Sequence, residues 1–209
     1  MCIINLSKAN QPIPTKDQFK RMWDRNPDGA GIILDIGNGQ VMYKKGLMTF
    51  NEFMDAVDEI QSEHNLVENA CAFHFRIKTS GKVDAPTTHP FLLSPRYQDL
   101  RKLEYKGNMP VMMHNGTIPR FGGWLDALSS DTQDFAATIG YTMLRKNKRG
   151  KKPSKTMLKA AEATIGASRA VVFYGDNDPV AIGDWKESEG LCVSNTLWSN
   201  STTTTSTAS

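Results

Sequence analysis

The residue with most chemistry to offer stands at position two. Removal of Met1, which a small second residue permits, makes Cys2 the N-terminus, with a thiol and a free α-amine on one residue. The amine has a reference pKa of about 7.7–8.0. It can take the thiol proton, directly or through a water, and return it to a leaving group. Nucleophile and base then come from one residue, without a histidine. The plain alternative is a small apolar residue in an edge strand.

Three further clusters carry polar groups at useful places. His74-Phe75-Arg76-Ile77-Lys78-Thr79-Ser80-Gly81 ends an alternating strand in a glycine turn. Arg76 there can fork onto a carboxylate, or serve a structural ion pair. His114-Asn115-Gly116 closes another apolar run. The Asn115 side-chain amide and the Gly116 backbone N–H can together form an oxyanion hole, or simply a turn. Ser130-Asp131-Thr132-Gln133 opens a helix. Asp131 can pair with an ammonium group, or only complement the helix dipole.

The four histidines (64, 74, 89, 114) have no paired spacing of the H-x3-H kind, and Cys71 and Cys192 sit in apolar strands. The expectation is buried core residues and no metal site. No phosphate-binding glycine loop is present, and no cofactor is expected.

The elements that must position these groups are legible from periodicity. Thr15 with Gln18, Thr49 with Glu52 and Ser130 with Gln133 each read as a capping box at a helix start. Phe19, Met22 and Trp23 continue the first helix, and Phe53, Met54, Val57 and Ile60 a second near 50–62. Phe135, Ile139 and Met143 extend the third, and a fourth runs from Met157 to Ile165, closed by Gly166. Strands are expected at 32–36 and 41–44 around a Gly37-Asn38-Gly39 hairpin turn, at 70–77, 110–113, 170–174, 180–183 and 190–194. In 70–77 one side is Cys71, Phe73, Phe75 and Ile77, and the other is Ala70, Ala72, His74 and Arg76. Hairpins dominate the strand pairing, so a layered α+β domain with antiparallel sheets is expected. It spans 1–198, followed by a disordered low-complexity tail at 199–209.

Composition bounds the function. The 209 residues suffice for one domain with its own core. No apolar run is long enough to span a membrane, no secretory signal is evident, and three cysteines make no disulfide framework, so a reducing cytoplasm is expected. The net charge of +3 hides a split: Arg145–Lys155 holds seven Lys or Arg and no acid, and the rest carries 18 basic against 22 acidic residues. That loop is a solvated face or a docking site for an acidic protein or a nucleic acid. It lacks interleaved aromatics, which disfavours base stacking.

Taken in order, the leading Met-Cys, Pro27-Asp28-Gly29-Ala30-Gly31-Ile32, His74-x-Arg76-x-x-Thr79-x-Gly81, His114-Asn115-Gly116 and Ser130-Asp131-Thr132 resemble the class II glutamine amidotransferase domain. That family belongs to the N-terminal-nucleophile (Ntn) hydrolases. The resemblance implies a four-layer αββα sandwich with two antiparallel sheets. It implies Cys2 as nucleophile with its α-amine as base, and Asn115 and Gly116 as the oxyanion hole. Arg76 would hold the α-carboxylate of glutamine and Asp131 its α-ammonium. His74, Thr79 and Gly81 would support the pocket, and Thr88-His89-Pro90 resembles a segment near the site. The chain departs from the family in having Ile3 where Gly usually follows the cysteine, and Lys78-Thr79-Ser80 in place of Ala-Thr-His.

The expectation is therefore a glutaminase-type amide hydrolase that forms a thioester on Cys2. Only fourteen residues follow position 195, so the ammonia is expected to pass to a separate acceptor synthase. The alternatives are a non-catalytic amino-acid-sensing or partner-binding module on the same fold, and a nucleic-acid-associated protein acting through 145–155.

Overall fold

The computed structural model describes residues 1–78, 83–125, 127 and 129–199. Thr79 and Gly81, both expected at the pocket, lie outside the described residues, as do 200–209 of the expected tail.

The chain begins with β1 (Ile3–Ser7), α1 (Lys16–Arg25), the hairpin β2 (Ala30–Gly37) and β3 (Gln40–Leu47), α2 (Phe50–Glu63) and β4 (Cys71–Phe75). Next come β5 (Phe91–Leu92), α3 (Tyr97–Leu100), β6 (Glu104–Gly107) and β7 (Val111–Asn115). The last third holds α4 (Asp131–Ala137), α5 (Ile139–Leu144), α6 (Lys155–Ile165), β8 (Arg169–Phe173), β9 (Val180–Ile182), β10 (Lys186–Ser188) and β11 (Leu191–Val193). The strands form two antiparallel sheets. One has seven strands in the order β10-β11-β1-β4-β2-β3-β6, the other four in the order β5-β7-β8-β9. The molecule is thus α+β, as expected.

Local chemistry explains the element starts. Thr15, Thr49 and Ser130 each accept the N–H three residues on, and Gln18, Glu52 and Gln133 reach back to the cap N–H, so all three capping boxes form. The β2–β3 turn is a two-residue loop in which Asn38 (φ 52°) and Gly39 (φ 75°) are both left-handed. That is the turn whose twist matches antiparallel strands.

The expected third helix is not continuous. Thr138, at φ −117° and ψ −95°, divides it into α4 and α5. Its hydroxyl donates to the Asp134 carbonyl at 2.6 Å, a local bond that competes with the helix ladder. Strand β4 also stops at Phe75 rather than at 77; beyond it Arg76 still donates its N–H to the Gly29 carbonyl and accepts from Asp28 N, in the segment just before β2.

Burial follows the alternation. Cys71, Phe73 and Phe75 pack with Phe19, Met22 and Phe53 of α1 and α2. Phe19 meets Phe73 edge-on at 4.8 Å and Phe53 meets Phe75 at 5.0 Å. Each such fully buried ring contributes about 1.5–3 kcal/mol of hydrophobic stabilisation. Ala70 and Ala72, on the opposite side, join Ile4, Ile33 and Tyr43 and the four-stranded sheet's Val111, Met113, Val171 and Phe173 in a second core. A third core joins Met112, Ala170 and Val172 to Phe135, Leu144, Ala161 and Ile165 from α4, α5 and α6. No described helix is long and apolar enough to cross a membrane.

Candidate active site

Strand register brings the first cluster together. Ile3 pairs with Phe75 across β1 and β4, so Cys2 and Arg76 are the next residues beyond that pair. Two asparagine amides fix the backbone there. Asn26, capping the C-terminus of α1, donates to the carbonyls of Met1 and Phe75, both at 3.1 Å. Asn195, just past β11, donates to the Cys2 carbonyl at 2.6 Å. The Cys2 thiol is partly buried, its Sγ 3.8 Å from the Ile77 carbonyl.

Cys2, Arg76, His89, His114, Gly116 and Asp131 line one small cleft. A roomier cleft of about 470 Å³ lies on the basic segment, lined by Arg145, Lys146, Lys148, Lys152 and Met157 among others. It is lined by no cysteine, histidine or carboxylate, so the smaller cleft is the candidate for catalysis.

Burial pushes the Cys2 thiol above its ordinary value; nearby Arg76 pulls it down and Asp131 pushes it up. With Met1 in place the sulfur is therefore a thiol at neutral pH, and attack requires a base.

Gly116 follows the last residue of β7 with φ +139°. A β-carbon there would lie 2.2 Å from Ser168 Oγ, and that hydroxyl donates to the Thr117 carbonyl. Only glycine brings the backbone to the cleft at this point. Asn115 is buried beside it; its Nδ2 stands 2.8 Å from Ser194 Oγ.

Asp131 opens α4 and binds local N–H groups, Ile118 N at 2.7 Å and Thr132 N at 2.8 Å. One turn on, the buried Asp134 accepts from Gly122 N, Trp124 N, Leu125 N and the Ser129 hydroxyl. The 118–125 segment, which leaves the Asn115-Gly116 corner, is thereby folded onto the start of α4.

Gly31, in the Pro-Asp-Gly-Ala-Gly segment, has a close-approach role. A β-carbon on it would sit 2.0 Å from the His89 carbonyl. That closeness seats the 85–92 segment against β2 and puts His89 into the cleft wall. His74 is fully buried and lies behind the wall, stacked on His89 with centroids 4.1 Å apart. His89 and His114 rings are 6.4 Å apart. His114 Nδ1 meets the Thr132 hydroxyl at 2.9 Å. The other five ring nitrogens of these three histidines are buried without a hydrogen-bond partner among the described residues. Among those residues, no group of three His, Cys, Asp or Glu is arranged to hold a metal ion.

Burial pushes His74 down to about 3, His114 down to about 4, and His89 well below its ordinary value. All three are neutral in the folded state at neutral pH. The unfolded chain binds their protons near the ordinary histidine pKa of about 6.5, while the folded chain refuses them. Stability is therefore full above that value and falls as pH drops toward the folded-state values. Each histidine contributes a slope of about 1.4 kcal/mol per pH unit. Urea unfolding free energies measured between pH 7 and 5 are expected to fall; the buried Asp35 carboxyl, which burial pushes up to about 6, takes up a proton in the folded state and opposes the histidines, so the slope approaches about two protons. A flat profile would contradict the burial of neutral rings.

The basic segment is tied down at two points. Lys152 pairs with Asp176 and Asp178 at 2.9 Å, and Lys146 donates to the Tyr174 carbonyl at 2.7 Å. Arg145, Lys148, Arg149, Lys151 and Lys155 are exposed.

Of the expected site residues, Cys2, Arg76, Gly116 and Asp131 share the cleft wall, with Asn115 adjacent and His74 behind. Sequence reasoning passed over Asn26, Asn195 and Ser194 as anchors. They are single polar residues at element ends, and only strand register reveals their partners. Comparison with protein-family models and with curated proteins finds no match to this chain.

Proposed function

We propose that the chain is an N-terminal-nucleophile amidohydrolase of the class II glutamine amidotransferase kind, and that its sheets and helices form that family's four-layer αββα sandwich. One observation carries the reading: Cys2, Arg76, Gly116 and Asp131, from four separate stretches of chain, converge on one cleft. The three successive cores, helices on sheet, sheet against sheet, and sheet on helices, are what such a sandwich requires.

The proposed reaction begins after Met1 is removed. Arg76 takes the α-carboxylate of glutamine by bidentate hydrogen bonds, and Asp131 takes the α-ammonium. The freed α-amine accepts the Cys2 proton and becomes an ammonium, while sulfur attacks the side-chain amide carbon. Negative charge develops on the amide oxygen and is met by Gly116 N–H and the Asn115 amide; such donors contribute roughly 10²–10³ in rate. Collapse breaks the C–N bond, the ammonium proton goes to the departing nitrogen, and ammonia leaves a γ-glutamyl thioester. Water, deprotonated by the same amine, attacks the thioester and releases glutamate and the thiol. Neutral His74, His89 and His114 add no competing charge near the substrate. A free-thiol nucleophile fits a reducing cytoplasm.

Ammonia release from glutamine tests this. Protein whose intact mass shows Met1 removed is expected to turn over. The same chain with an uncleaved N-terminal extension, lacking the amine base, is expected to lose about 10²–10⁴ in kcat. Equal turnover by the extended chain would remove the α-amine from the mechanism.

A further inference from the structure

Ser194 stands at a crossing of two hydrogen bonds that do not balance as they are drawn. It is fully buried. Its Oγ accepts the Ile4 backbone N–H at 2.8 Å, and Asn115 Nδ2 stands 2.8 Å from the same oxygen. A hydroxyl has one proton and two acceptor lone pairs. If Asn115 donates to it, both lone pairs are filled and the proton has no acceptor among the described residues. Asn115 Oδ1 is then also buried without a partner. Two unpaired polar groups in one buried spot are unfavourable.

A 180° turn of the Asn115 amide pairs the Ser194 proton with Oδ1, and leaves the two NH2 hydrogens as the groups without a described acceptor. Oδ1 then receives the Ser194 proton, while Ser194 still accepts from Ile4. The NH2 group takes the place of Oδ1, where no described acceptor competes for its two hydrogens. Ile4 N–H is a donor only, so the direction of the chain is set: Ile4 N–H to Ser194 O–H to Asn115 Oδ1.

We propose that Ser194 is a positioning residue for the oxyanion hole, holding the Asn115 amide with its NH2 turned away from Ser194 and free to donate to the developing oxyanion. The proposal rests on the amidohydrolase reading above. It ties the hole to the nucleophile's own strand, because Ile4 lies two residues past Cys2 in β1. The pairing is reinforced by Ser194 N, which donates to the Ile4 carbonyl at 2.8 Å. Without the Ser194 hydroxyl, nothing described prevents the amide from presenting its oxygen to the oxyanion.

The test uses the full chain with Met1 removed and glutamine as substrate. Ser194→Ala is expected to lower kcat at least tenfold with KM within twofold. Adding Ser194→Ala to Asn115→Ala is expected to cost nothing further, since the serine acts through the asparagine. Wild-type kcat in Ser194→Ala, or a double variant slowed by the product of the two single effects, would overturn the proposal. A second measurement does not depend on turnover. In nitrogen-15-labelled wild-type protein, the Asn115 NH2 protons are expected to show weak or no NOE to the Ser194 β-protons; strong NOEs would overturn it. If the wild type releases no ammonia from glutamine, the amidohydrolase reading falls, while the NOE pattern still decides the amide orientation.

Discussion

Cys2→Ala will fold like the wild type and lose glutamine hydrolysis by at least about 10⁴-fold, the scale seen when a catalytic nucleophile is removed. The side chain is small and only partly buried, and its one polar contact among the described residues is the weak approach to Ile77 O at 3.8 Å. Removing it leaves no cavity that the fold would register. The backbone of residue 2 is held independently, through Asn195 on its carbonyl. The α-amine remains in the variant, so the loss isolates the sulfur. Cys71 cannot substitute: it is fully buried among α1 and α2 side chains, and burial pushes its thiol up to about 12. Steady-state ammonia release and a thermal melt together check the expectation. Unchanged melting with activity within tenfold of wild type would contradict it.

Gly116→Ala has the second-largest expected effect, and it reaches both folding and activity. At φ +139° an L-residue is strained, by about 1–3 kcal/mol. The new methyl also meets Ser168 at Oγ (2.2 Å), Cβ (2.7 Å) and Cα (3.1 Å), so the strand start of β8 must yield with it. Overpacking of that kind adds about 1–3 kcal/mol. The summed loss, about 2–6 kcal/mol, is a large part of the stability of an ordinary domain. Where the variant still folds, relief comes by turning the 116 peptide, and its N–H leaves the cleft. A fall in kcat of roughly 10²–10³ is expected from that one donor. Urea denaturation reads the first effect and kcat at saturating glutamine the second. A variant as stable as wild type would mean that the corner is not built as described.

Much of this arrangement is local and therefore legible in the chain itself. The three capping boxes need only residues three apart, and all three form. The split of 70–77 into an aromatic side and a small-residue side needs only period two, and each side enters a different core. What escaped depends on long-range placement or on very short elements. β5 has two residues, α3 four and β6 four, too few to show a period, so none of the three is among the expected elements. The break at Thr138 lies inside an intact i, i+4 pattern, and its cause is a side-chain hydroxyl on a carbonyl. Ser194 and Asn195 acquire their partners through the pairing of β11 with β1, some 190 residues away in sequence. No spacing rule reports that. His74 was expected as pocket support, and its stacking on His89 depends on the 85–92 segment lying across Gly31.

The central claim is that Cys2 is the nucleophile for an amide borne by an amino-acid head group. Treating the Met1-processed protein with a glutamine-mimicking electrophile, then mapping the modified residue by peptide mass, tests it most directly. The account predicts one adduct, on the sulfur of Cys2, blocked by excess glutamine and absent from an N-terminally extended chain. Labelling at Cys71 or Cys192, or labelling of Cys2 that glutamine does not protect, would contradict it.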